Sequence, residues 1–247
     1  MFHRHLPLAS VAEDILVPVI DRIRSQMCIP RQFPTEVCDQ ARRSVSQWAD
    51  FLTALDLSPD PGLVDAAEQG DPEALRHFPR VAAPSPSGAS DALWHPALPA
   101  LDATHIPFVT IDPAGSRDLD QAIHLSHLPP GQPDGATHLV SYAIASVSTF
   151  VPPGSPLDVE TRMRGMTTYL PDASTPLHPR ELSEGAASLL PGQVCPACVW
   201  QVRLGPDGAR ISWDVRRALV RSRAQLTYEQ VQEALDVEDL GGAHAET

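Results

Sequence analysis

The chain has 247 residues, 43% hydrophobic and 20% charged, which suffices for one large or two small domains with buried cores. A formal net charge of −13, with all 18 basic residues arginine, excludes a protein that coats nucleic acid non-specifically, because the whole-molecule field repels phosphate. No apolar run approaches the roughly 18 residues of a membrane span, and MFHRHLPLAS lacks the apolar core of a signal peptide. The four cysteines are too few for a disulfide scaffold, so a cytoplasmic protein is expected.

Ser10 and Glu13 have the form of a capping box, and Leu16, Ile20, Ile23 and Met27 follow at helical spacing. They predict a helix over about 11–27, in which Pro18 calls for a kink or a later start. A second stripe, Val37, Cys38, Ala41, Val45, Trp48, Leu52 and Leu55, is the clearest helix of the first third. Residues 58–78 read as a turn and one or two short helices. Residues 80–100 are rich in Pro, Ala and Ser and read as a linker between a helical leader, 1–79, and a domain over 101–247.

Beyond the linker the texture turns to strand: PFVTID, QAIHLS and HLVSYAIA, the last two flanking a Pro/Gly-rich loop. Ser155-Pro156-Leu157-Asp158 combines a cap, a first-turn proline and an acid, predicting a helix to about Met166. Another is expected over Pro179–Leu190. VWQVRL and ARISWDVRRALV flank GPDG as a strand-turn-strand, with Cys195-Pro196-Ala197-Cys198 placed just before the first strand. Thr227 and Gln230 cap a last helix. The fold class is therefore α+β, a helical leader followed by a mixed sheet.

The chemistry concentrates in IDPAGSRDLDQA, where Asp112 ends an apolar strand and Asp118 and Asp120 follow six and eight residues later. In an extended segment Asp118 and Asp120 share a face, and a turn at PAGS can return Asp112 to them. Clustered carboxylates need a cation to offset their repulsion, and hard oxygen donors suit magnesium or manganese. The competing reading, that they are ordinary loop aspartates, stays open on spacing alone. Six arginines between 203 and 223 read either as solvated hairpin faces or as a wall of an RNA channel. Arg216 and Arg217 point to opposite faces of a strand, whereas Arg221 and Arg223 share one.

From His105 to Leu235 the chain resembles the catalytic domain of the ribonuclease II/R family. IPFVTIDPAGSRDLDQAI resembles its opening metal-binding motif, and SYAIASVSTF through SLLPG its long central signature. RRALVRSRAQLTYEQVQEAL resembles the strand-to-helix stretch after that. The resemblance implies hydrolysis of single-stranded RNA from the 3′ end, releasing nucleoside 5′-monophosphates. It implies Asp112, Asp118 and Asp120 as ligands of Mg2+ or Mn2+, and Tyr169 as the aromatic that holds the terminal nucleotide.

Two positions depart from the family pattern. Gln121 stands where a fourth aspartate is frequent, and its amide coordinates without adding charge; Ser146 likewise stands where relatives commonly carry an aspartate. The family's catalytic arginine has no counterpart here. A partial, weakly active form is expected, with a carboxy-terminal half encoded separately and with apolar faces left open on AIASVS and VWQVRL. The alternative is a catalytically silent RNA-binding protein that keeps the fold.

Overall fold

The computed structural model describes residues 10–55, 57, 60–81, 99 and 101–242. The linker expected over 80–100 falls, but for Arg80, Val81 and Pro99, outside the described residues. Four helices come first: α1 (Ser10–Gln26), which continues through Pro18, α2 (Thr35–Ala54), α3 (Pro61–Glu68) and α4 (Pro72–Arg76). Asp60 and Asp71 start α3 and α4 by accepting hydrogen bonds from Gly62 N and Glu73 N, and each is followed by a first-turn proline.

Five strands then close a barrel: β1 (Phe108–Ile111), β2 (Gln121–His127), β3 (His138–Ala145), β6 (Val194–Leu204) and β7 (Arg210–Leu226). Neighbours in the order β1-β2-β3-β6-β7 are antiparallel, and the closing pair, β1 with β7, is parallel. β7 is long enough to serve twice. Arg210–Arg221 pair with β6, and the last residues, Ser222–Leu226, pair with β1.

Between β3 and β6 lie α5 (Pro156–Arg164), the short hairpin β4 (Thr168–Tyr169) and β5 (Ser174–Thr175), and a single π-helical turn, Leu182–Ala186. α5 is capped by Ser155 Oγ as the sequence predicts, but it ends at Arg164 because Gly165 takes a φ of 71°. The helix expected over Pro179–Leu190 is only that π turn. Gly185, at φ −135° and ψ −111°, stops it, and residues 188–190 are spent on another contact, described below.

One core fills the barrel and takes in Ala67 of α3, Leu75 of α4 and Phe78 just beyond α4. There Gln201 Nε2 donates to Leu75 O, and the Arg216 guanidinium lies 4.6 Å from the centre of the Phe78 ring. The second core lies outside the barrel, where α2 (Val37, Ala41, Trp48, Phe51) packs on Phe150, Leu157, Leu182 and Leu219. The Cys-Pro-Ala-Cys segment lies inside β6 rather than before it. Cys195 is buried and its thiol is pushed up to about 12 by that burial, while Cys198, three residues on, belongs to the opposite face. No helix among the described residues is long and apolar enough to cross a membrane.

Candidate functional site

The segment 112–120 joins β1 to β2 at one mouth of the barrel, and its geometry follows from where its backbone hydrogen bonds go. Asp112 N donates to Leu226 O, so the loop leaves β1 still held to β7. It turns at Ala114-Gly115, where Gly115 takes a φ of 83° that a side chain would strain, and Ser116 O accepts from Gln225 Nε2. The Ser188 hydroxyl then holds both sides of Leu119: it donates to Arg117 O at 2.6 Å and accepts from Leu119 N at 2.9 Å. Leu189 N donates to Leu119 O.

Leu119 is thereby drawn fully into the core. Its neighbours Asp118 and Asp120 stay exposed. Alternation across a pinned, extended tripeptide is what presents the two carboxylates.

The aspartates feel one another. Burial first, and then the charge of Asp118, raises the carboxyl of Asp112 above the ordinary carboxylate range. Asp120 is raised likewise, by loss of water around the carboxylate first, then by Asp118 and Asp112. Among the described residues no arginine pairs with either of them. Gln121 is already engaged, accepting a hydrogen bond from the Tyr142 hydroxyl on β3. Ser146 is buried, and its hydroxyl bonds those of Ser148 and Thr149, closing the turn after β3.

Against known proteins, the family model described as "RNB domain" matches residues 101–246. The chain belongs to the RNB domain family. Among curated RNB relatives, the Exoribonuclease 2 of Serratia proteamaculans is 39% identical over 142 residues, 57% of this chain and 21% of that protein. The Exoribonuclease 2 of Edwardsiella piscicida is 36% identical over 158 residues, 63% of this chain and 24% of that protein. Mycoplasma genitalium RNase R, solved in complex with double-stranded RNA, superposes with a TM-score of 0.51 at 29% identity, covering 56% of this chain and 23% of that one. The chain thus spans about a quarter or less of the length of the relatives it matches.

The donor chemistry of the RNB mouth fits a hard divalent cation: three carboxylates on one loop, two of them raised by burial first and then by their neighbours. Among the described residues no three His, Cys, Asp or Glu side chains converge into a ready metal cage. That still suits magnesium, which characteristically takes one or two carboxylates and completes its shell with water and substrate phosphate.

The other residues singled out in the sequence lie elsewhere on the RNB fold. Tyr169 stands on the β4–β5 hairpin, 55% exposed. That hairpin is tied to the leader by Arg24, whose two terminal nitrogens bond Asp172 at 2.8 and 2.7 Å. Arg223 pairs with Glu68 of α3, and Arg221 is partly buried with an unpartnered Nε. Sequence reasoning missed Ser188, Leu119 and Gln225 as the residues that position the aspartates. A buried leucine between two aspartates was the one local clue, and the serine lies 69 residues away along the chain.

Proposed function

We propose that the chain supplies the metal-binding end of an RNA-hydrolysing centre of the 3′-to-5′ exoribonuclease type, acting on single-stranded RNA and releasing nucleoside 5′-monophosphates. The observation that carries this reading is that Asp112, Asp118 and Asp120 lie on one loop held by buried hydrogen bonds, where the charge of Asp118 adds to burial in raising the other two carboxyls. Anions held together at an electrostatic cost, on a rigid frame, are what a cation site needs before its ion arrives.

In this reading Asp112, Asp118 and Asp120 hold Mg2+ or Mn2+. The bound cation would supply charge for the phosphate and lower the pKa of a coordinated water. Tyr169 offers an aromatic face for the terminal base without reading its identity, and Arg221 and Arg223 lie on one face of β7 for the backbone phosphates. Gln121, held by Tyr142, orients groups at the mouth without adding charge. The cytoplasm is the compartment this activity implies.

A silent RNA-binding protein is the second reading, favoured by the neutral Gln121 and by the open ligand set. Single-turnover cleavage of 3′-labelled single-stranded RNA in magnesium, with Asp118→Asn as control, separates the two. Mononucleotide release lost in the control supports hydrolysis. RNA binding in calcium or EDTA with no cleavage in magnesium supports the silent reading.

A further inference from the structure

The hairpin that carries Tyr169 is too short to hold itself. Its ladder has two residue pairs, Thr168 with Thr175 and Tyr169 with Ser174, closed by Leu170 N donating to Ala173 O. A ribbon of that size is marginal in water, so what fixes its pitch must come from other segments.

Two arginines supply the anchors, and both lead to the helical leader. Arg24, near the end of α1, sends Nη1 and Nη2 to the two carboxylate oxygens of Asp172 at 2.8 and 2.7 Å, across 148 positions of chain. Asp172 lies in the turn of the hairpin, between Leu170 and Ala173. The Arg24 side chain is 9% exposed, and its hydrogen bonds hold the Asp172 carboxyl below the usual range.

Arg164, at the end of α5, is buried with Glu160. Its Nη1 donates to Pro176 O just past the hairpin, its Nη2 donates to Gln32 O, and its guanidinium lies 3.6 Å from the centre of the Phe33 ring. At the other end of α5, Leu157 N donates to Gln40 Oε1 of α2. The leader therefore grips α5 at both ends, and it grips the hairpin directly at its turn and through Arg164 at its base.

A surface pair such as Arg162–Asp158 joins neighbours one helical turn apart and fixes no distant segment. A two-pronged pair between remote segments is directional, and it sets their relative position. Beyond the hairpin the chain runs through the π-helical turn to Ser188, which holds the aspartate loop.

We propose that Arg24 is a positioning residue for RNA: by clamping the turn of the hairpin it sets where the aromatic face of Tyr169 meets the terminal base. Arg24 acts through Asp172 and not through contact with RNA. The inference rests on the role proposed for Tyr169. A loosened hairpin keeps the ring but must order it on binding, which takes back part of the stacking energy.

An oligouridylate with 2-aminopurine as its 3′-terminal base, titrated in calcium against the full chain, tests this, because stacking quenches the fluorescence of that base. Tyr169→Ala should abolish the quenching and weaken binding about tenfold. Arg24→Met and Asp172→Asn should each remove most of the quenching and weaken binding about three- to tenfold, with circular dichroism unchanged. The double variant should bind no more weakly than either single one, since both remove the same interaction. Quenching that depends on Tyr169 but is equal in Arg24→Met and the unsubstituted chain overturns the inference and leaves the proposed function standing. So do single effects that add in the double variant. Quenching that is absent, or indifferent to Tyr169→Ala, overturns the role proposed for Tyr169 and the inference with it.

Discussion

The two ends of the barrel treat their acids in opposite ways. At the far end, Asp134 in the β2–β3 loop receives Nε and Nη2 of Arg203 at 2.6 and 2.8 Å, which holds its carboxyl well below the usual range. Arg203 is 8% exposed, and its own pKa is raised by that partner. Beside it Asp214 takes Arg216 at 2.5 Å. At the near mouth, Asp112 and Asp120 have no such partner among the described residues and are raised instead. Under the proposed function, the acids left without a cationic partner are the ones that serve a ligand.

The comparison breaks most sharply in activity. Asp120→Asn should reduce magnesium-dependent cleavage about 100-fold or more in single-turnover assays while circular dichroism stays native; equal cleavage would place the chemistry away from the mouth. Next in size is the frame. Leu119→Ala empties a fully buried site and should cost about 2–5 kcal/mol by urea denaturation, where a cost under about 1 kcal/mol would mean that the loop is not anchored there.

At the far end Arg203→Met leaves Asp134 without its guanidinium and should lower the melting temperature. The comparison fails if Asp120→Asn proves the more destabilising of the two.

A smaller effect concerns pH. The His105 ring is buried with Nε2 3.0 Å from Ala74 O, and burial lowers its pKa. A depressed histidine contributes stability that is present above its unfolded value and lost as pH falls through the folded one. The melting temperature should therefore drop by roughly 2–5 °C from pH 7 to pH 5, and His105→Asn should flatten that slope.

Smallest is the converse at the mouth. A raised carboxyl penalises the fold above its folded pKa and not below the unfolded one. Asp120→Asn should thus raise the melting temperature in EDTA at pH 7 by roughly 1–3 °C, with the gain shrinking as pH falls toward the carboxylate range. Magnesium should stabilise the unsubstituted chain more than the variant.

Much of this was legible locally. Ser155 caps α5, and Thr227 and Gln230 exchange the two hydrogen bonds of a capping box, Gln230 N to Thr227 Oγ1 and Thr227 N to Gln230 Oε1. The D-x5-D-x-D spacing marked the aspartates, and β alternation placed Arg216 and Arg217 on opposite faces. The helix expected over Pro179–Leu190 failed because periodicity does not register that Ser188 and Leu189 are bonded to the 117–119 backbone.

The sequence by itself determined most of the elements, the aspartate-bearing loop and the family resemblance, because caps, turns and period-two patterns act between residues a few positions apart. Only the tertiary structure decided that the sheet closes through a parallel β1–β7 contact, and that Ser188 aims Asp118 and Asp120 outward by pulling Leu119 in. It also decided that Arg203 neutralises Asp134, whereas among the described residues no cation pairs with Asp112. Those contacts join residues 69 to more than 100 positions apart, and no local preference encodes which distant partner satisfies a buried hydrogen bond or a charge.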